Sequence, residues 1–435
     1  MTDSLRLSIA LDRSLAWAEG SSVRYIVATL EGEGAEPRPS HPAPPVNLAL
    51  VIDASGSMSG DKLDNAKRAA RGVAERLREG DVLSIVSFAS DVVVHVDAMA
   101  IASDSRSEIG TAIDRLSTRG CTNLSDGWFT GVECVAKAAS EEPGVNRIIL
   151  LSDGAANEGV VDQAELAHHA HELAKRGIVT SCVGIGNGYE RLLLQAIAEH
   201  GGGRVHDAEF GADIVDVLMG ELGEISDLVA QDVSITLHVP ATAKAEFVGS
   251  APVQVGAGLL SVSTGGLLAG RPRCCVFRVT LPAAGMDDTL LFGVAARGTG
   301  LDGAAIEARA SEAAFTFVEG ARNNRQSRDE TASMAVATVW HAEILRTAAR
   351  LNRSGERRQA RRYIDRELQF FERYCSGLPQ AATLLKEIAL LRQNVDRDWD
   401  ERTRKEMEVA AYRVQANRAD YRGARASWSE RLNDE

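Results

Sequence analysis

The chain has 435 residues, 45% of them hydrophobic and 25% charged, with a formal net charge of −13. That length and apolar content allow large buried cores and two or three domains. The acidic balance argues against a nucleic-acid binder, and no run of eighteen apolar residues is present to span a membrane. Met1 to Leu11 alternates like a strand and meets Asp12 and Arg13 before any long apolar core, so it does not read as a signal peptide, and the expected location is cytoplasmic.

In chain order, residues 4–11 and 22–31 alternate as strands, and a Pro-rich linker follows at 36–45. Val46 to Asp53 reads as a buried parallel strand. At its end the run Val51-Ile-Asp-Ala-Ser-Gly-Ser-Met58 sets Asp53, Ser55 and Ser57 at alternating positions. From Asp61, Leu63, Ala66, Ala70, Val73 and Leu77 recur at helical spacing. The loop thus joins the carboxyl end of a strand to a helix, the usual ligand crevice of open α/β sheets. Three hard oxygen donors on it form a cradle for a divalent cation.

Strands at 82–88 and 91–96 are too close for a crossover helix and are expected to form a hairpin with an antiparallel edge. Further strands lie near 146–153, 178–185 and 203–207, with amphipathic helices between most of them. Magnesium takes six oxygens in a near-octahedral array, so other strand ends must contribute. Gly120-Cys-Thr-Asn-Leu124 precedes a helical run, and Ile148-Ile-Leu-Leu-Ser-Asp-Gly154 is an apolar strand ending in a carboxylate. They add Thr122 and Asp153 as candidate ligands.

Asp-x-Ser-x-Ser, then Gly-x-Thr-Asn-Leu, then Ser-Asp-Gly after a strand is similar to the von Willebrand factor type A domain over roughly residues 46–225. The resemblance implies a doubly wound, mostly parallel six-stranded α/β sheet. It also implies a metal ion-dependent adhesion site at Asp53, Ser55, Ser57, Thr122 and Asp153, holding Mg2+ (or Mn2+ or Ca2+). In the family a Glu or Asp of a protein partner completes the coordination, and the site is coupled to the last helix, here 210–228. Cys121 stands where many relatives carry glycine. An alternative role for such domains is a substrate-presenting adaptor subunit of an AAA+ ATPase of the chelatase or chaperone-like kind. No enzymatic activity is expected.

Other chemistries fail on detail. Gly56-Ser-Met-Ser-Gly-Asp-Lys62 lacks the ending of a phosphate-binding loop. An aspartyl phosphotransferase would want an acid where Ser55 stands, and no Gly-x-Ser-x-Gly elbow presents a serine. Gly184-Ile-Gly-Asn-Gly188 lacks the full dinucleotide fingerprint and reads as a glycine turn. His168, His169 and His171 fall in one helical pattern with no cysteine pair nearby and read as a polar face, not a zinc site. Cys121, Cys134, Cys182, Cys274, Cys275 and Cys375 show no framework spacing and read as buried reduced thiols, Cys121 excepted by its place near the candidate ligands.

Beyond the type A segment, stretches at 233–239, 259–263, 276–280, 290–295 and 313–318 alternate as strands. The economical arrangement is one β-sandwich built from both flanks with the type A domain inserted in it; the chain resembles bacterial relatives of inter-alpha-trypsin inhibitor heavy chains, which combine type A and β-sandwich units in related ways. From about Asn323 helices are expected at 334–351, 357–374, 381–393 and 399–418, with a mobile tail from Tyr421 to Glu435. The organisation is therefore 1–45 and 229–320 as sandwich, 46–228 as type A domain and 321–435 as a helical region. The arginine-rich stretch 346–373 reads as a solvated face matched by Glu356, Asp365 and Glu367.

Overall fold

Every residue of the strand Val46–Asp53 is buried, because helices cover both faces of the sheet that it centres. The computed structural model describes residues 4–33, 45–139, 144–154, 158–186, 189–208, 211–310, 312–415, 428–429 and 432. Strands β1 (Ser4–Leu11), β2 (Leu15–Trp17) and β3 (Ser22–Glu33) come first. The alternating segment is β4 (Val46–Asp53), α1 (Asp61–Arg76), β5 (Val82–Phe88), β6 (Val92–Ala100), α2 (Ser105–Asp114), α3 (Leu124–Ala139), β7 (Val145–Ser152), α4 (Gln163–Ala174), β8 (Ile178–Ile185), α5 (Arg191–His200), β9 (Gly202–Ala208) and α6 (Gly211–Ser226). Then follow β10 (Leu228–His238), β11 (Lys244–Val248), β12 (Val253–Gly256), β13 (Leu259–Leu268), β14 (Arg273–Leu281), β15 (Thr289–Gly300), β16 (Ala305–Arg309) and β17 (Ala313–Val318). Last are α7 (Gly320–Arg325), α8 (Glu330–Arg353), α9 (Arg357–Cys375), α10 (Ala382–Asn394) and α11 (Glu401–Gln415).

The central sheet has the order β6-β5-β4-β7-β8-β9. All its pairings are parallel except that of the edge strand β6, which forms a hairpin with β5. Alternate residues of β4 feed two cores: Leu50 and Ile52 pack with α1, α2 and α6, while Ala49 and Val51 pack with α3, α4 and α5. After β4 the chain winds first to β5 and later returns to β7 on the other side. The carboxyl ends of β4 and β7 therefore flank a topological switch point, where open α/β sheets bind ligands.

The flanking strands form two antiparallel-rich sheets, β1-β3-β14-β11 and β12-β13-β10-β15-β17-β2, with β16 on β15. They enclose a common core that includes Ile26, Leu30, Phe277, Ile235, Phe292 and Phe315. The N-terminal strands divide between them: β3 pairs with β14, and β2, absent from the sequence reading, runs parallel to β17. The strands β11, β12 and β16 were likewise not expected; β12 is four residues long and exposed along its whole length. The Pro-rich linker falls almost wholly outside the described residues, as does part of the Gly184–Gly188 turn.

The opposite face of β3 carries Tyr25 and Val27 into a second core with α8, α9, α10 and α11, so the helical region lies on the flank sheet. Most of the tail from Tyr421 falls outside the described residues, but Trp428 and Leu432 are buried in that core, which corrects the expectation of a mobile tail at those two positions. The arginine-rich stretch needs a second correction. Its acidic partners come largely from later helices and turns: Glu408 for Arg353, Asp398 for Arg357 and Asp396 for Arg361, while Glu367 pairs with Arg366. Glu408 also binds Arg191 at 2.9 Å, and Arg191 binds Asp207 at 2.7 Å. This chain of charges, buried at Arg191 and Glu408, ties α5 and β9 of the central domain to α11.

Glu221 fastens α6 to the sheet, accepting from Ser181 Oγ at 2.8 Å and contacting His206 Nε2 at 2.6 Å. Burial alone would raise its carboxyl, but His206, Arg204 and Ser181 outweigh burial and hold it below the ordinary carboxylate range. A depressed carboxyl contributes stability above its unfolded pKa of about 4.3, and that contribution is lost as pH falls below it. Glu221→Gln should lower unfolding free energy at pH 7 by about 3 kcal/mol. In urea denaturation the gap to wild type should narrow below about pH 4.

Candidate metal centre

Strand β4 delivers Asp53 to the switch point with no exposed surface. Ser55 N donates to Asp53 Oδ1 at 2.8 Å, a local turn typical of aspartate. That curl brings Ser55 Oγ and Ser57 Oγ within 3.0 Å of each other. Gly56–Met58 forms a single 3-10 turn, anchored by the buried Met58. Gly60, at φ 76, then lets the chain enter α1; this positive φ is strained for other residues.

Two further loops close on the first. Gly56 N donates to Gly120 O at 3.2 Å, and Asn123 N to Ala89 O at 2.9 Å, which fixes Thr122 between them. At the end of β7, Ser152 Oγ donates to Asp53 Oδ2 at 2.7 Å, and Ser57 Oγ donates to Asp153 Oδ1 at 2.6 Å. A methyl placed on Gly154 would stand 3.7 Å from both Ser57 Oγ and Thr122 Oγ1. All five candidate ligands thus converge from three loops. Asp53, Ser55, Thr122 and Asp153 are buried, and Ser57 is exposed at the rim.

Two neighbours escaped the sequence reading. Ser152 orients Asp53 from β7, and Lys62 Nζ, in the first turn of α1, stands 2.5 Å from Asp153 Oδ2. A serine closing an apolar strand and a lysine on an amphipathic helix carry no distinctive signal. Cys121 is exposed, and its N–H donates to Ser90 Oγ at 2.9 Å.

The donor set suits a hard cation. Two carboxylates and three hydroxyls supply only oxygen, which favours Mg2+, Mn2+ or Ca2+ over a thiophilic ion. Burial raises the Asp53 carboxyl above its usual range, and hydrogen bonds from Ser55 and Ser152 only partly offset this; a cation alongside would favour the ionised form. Among the described residues no group of three or more His, Cys, Asp or Glu gathers into a metal cluster, so the helix bearing His168, His169 and His171 offers no such cluster.

Residues 47–217 match the family of von Willebrand factor type A domains. This segment is a von Willebrand factor type A domain. Members of that family commonly act as metal-dependent protein–protein interaction modules through a metal ion-dependent adhesion site. The Escherichia coli (strain K12) protein named "Uncharacterized protein YfbK" is 30% identical over 209 residues, which are 47% of this chain and 35% of that protein. Bovine inter-alpha-trypsin inhibitor heavy chain H1 is 27% identical over 194 residues, 43% of this chain and 21% of that one. The matches thus span about a third or less of these relatives.

Two solved structures extend the likeness in fold to nearly the whole chain. A von Willebrand factor type A protein from Catenulispora acidiphila has a TM-score of 0.70 at 17% identity, over 94% of this chain and 97% of that one. The ArnB paralog VWA2 from Sulfolobus acidocaldarius has a TM-score of 0.57 at 16% identity, over 94% of this chain and 99% of that one. The type A domain and its flanks therefore recur together as one architecture.

With Mg2+ at about a hundred times its dissociation constant, folding stability should rise by about 2.7 kcal/mol. Asp53→Asn should abolish the rise, so that thermal unfolding in Mg2+ and in EDTA coincides. Lys62→Met removes a positive charge from beside Asp153 and should tighten Mn2+ binding by about 1 kcal/mol, or roughly five-fold, in calorimetric titration.

Proposed function

We propose that the chain is a metal-dependent protein-interaction module that captures an acidic side chain of a partner. Asp53, Ser55, Ser57, Thr122 and Asp153 hold the ion, Mg2+ by preference because the donors are all oxygen. The bound ion supplies a positive centre that attracts a carboxylate oxygen of Glu or Asp. The observation that carries this reading is the asymmetry of the cluster. Four donors are buried, with Asp53 held from behind by Ser152 and the Ser55 amide, while Ser57 sits at the surface. Access is thereby confined to one side.

The protein's own residues perform the positioning. Ser152 and the Ser55 amide orient the Asp53 carboxylate, and the turn at Gly56–Met58 aligns the two serine hydroxyls. Lys62 neutralises part of the charge on Asp153, which leaves the site with fewer negative charges to repel an incoming acid. The role proposed is binding and not turnover. A cytoplasmic setting belongs to the same proposal, supported by six free cysteines, which an oxidising compartment would tend to pair. Among the described residues no helix is long and apolar enough to cross a membrane.

Pull-down from lysate in Mg2+ buffer, comparing wild type with Thr122→Ala and Asp53→Asn, should recover a partner with wild type only. Titration of the purified partner should then show affinity weakened at least about a hundred-fold in EDTA. Affinity equal with and without the ion would refute the proposal.

A further inference from the structure

A cavity of about 130 Å³ lies at the opposite end of the central sheet, between the start of β7, the C-terminal half of α6 and strands β13 and β14. Arg147 on β7 lines it and is only 9% exposed. Its Nε makes no hydrogen bond, and no carboxylate among the described residues lies within ion-pair distance of its guanidinium. Burial lowers its pKa to about 10, with Glu221 opposing that shift, so it stays protonated at neutral pH.

The acids on the same wall are engaged elsewhere. Glu224 pairs with Arg204 and with Arg271, the latter at 3.1 Å. Glu221 is held by His206 and Ser181. Glu199 accepts from Gln195 Nε2 at 2.6 Å, and burial raises its carboxyl toward the neutral acid. A buried cation without a partner is costly, and a bound anion would relieve that cost.

The rest of the wall sets the shape of that anion. Gly266 keeps the space beside the guanidinium clear, since a methyl there would stand 3.6 Å from Arg147 Nη2 and 2.6 Å from Leu228 Cδ1. Phe247, Val248, Leu268 and Val339 line the apolar part of the cavity. The planar guanidinium fork matches a carboxylate. One guanidinium without an ion pair balances one negative charge, which favours a monocarboxylate over a phosphate dianion.

We propose that this cavity binds a short-chain monocarboxylate, its carboxylate on the Arg147 guanidinium and its apolar tail among Phe247, Val248 and Leu268. The site is separate from the metal centre and does not depend on the function proposed for it.

The test is calorimetric titration of the full chain with hexanoate, hexan-1-ol and inorganic phosphate. Hexanoate should bind wild type at least about ten-fold more tightly than either of the others. Arg147→Met, which removes the charge at similar volume, should weaken hexanoate at least about ten-fold. A single cooperative thermal unfolding transition like that of wild type should persist in that variant, showing that it is folded. If Arg147→Met does not fold, Phe247→Trp takes its place and should block hexanoate by filling the apolar end. The proposal is overturned if hexanoate fails to bind at about 10 mM, if hexan-1-ol or phosphate binds as tightly as hexanoate, or if the folded variant binds hexanoate like wild type.

Discussion

The carboxylate of Asp53 is the point at which the functional end of the molecule is assembled. It is wholly buried, and it accepts from Ser55 N on its own loop and from Ser152 Oγ on the neighbouring strand. Burying a carboxylate is costly unless hydrogen bonds or an opposing charge meet it. The donors that meet it here belong to β4 and β7, the strands on either side of the switch point. The same contacts that make the burial tolerable therefore set the spacing of the loops that carry Ser57 and Asp153.

The remainder of the chain holds this domain by both ends and from one side. β3 precedes it and lies in one flank sheet, and α6 runs through Asp227 into β10 of the other. The side contact is ionic: Arg191, Asp207, Glu408 and Arg353 form a chain between α5, β9, α11 and α8, with Arg191 and Glu408 buried at its centre. The fold-level likeness to whole chains from two other organisms agrees with a unit in which domain and flanks travel together.

What the sequence disclosed follows from burial. Strands covered on both faces, such as β4 and β8, read as unbroken apolar runs and were placed within a residue of their observed bounds. The ligand motifs were legible because hydroxyls and carboxylates at strand ends have a fixed spacing along the chain. Short or exposed strands were not legible: β2 is three residues long and pairs with a strand about three hundred positions away, and β12 is four residues long with none of them buried. Lys62 escaped for a different reason. Its place on α1 is ordinary, and only the fold brings its ammonium to Asp153. Arg357 and Arg361 of α9 show the same limit, since their acids lie beyond α10 and not on the same helix.

Strand β3 is paired with β14 through Ala28 and Cys275, and its outward face is sealed by α8. Such long-range pairing is slow to form, because a large loop must close before the contact is rewarded. During synthesis the first thirty residues emerge long before the strand and the helix that cover them, while the type A domain between can complete its own sheet. Strand β3 is thus left with an uncovered edge until β14 has been made, and with an uncovered face until α8 has followed it.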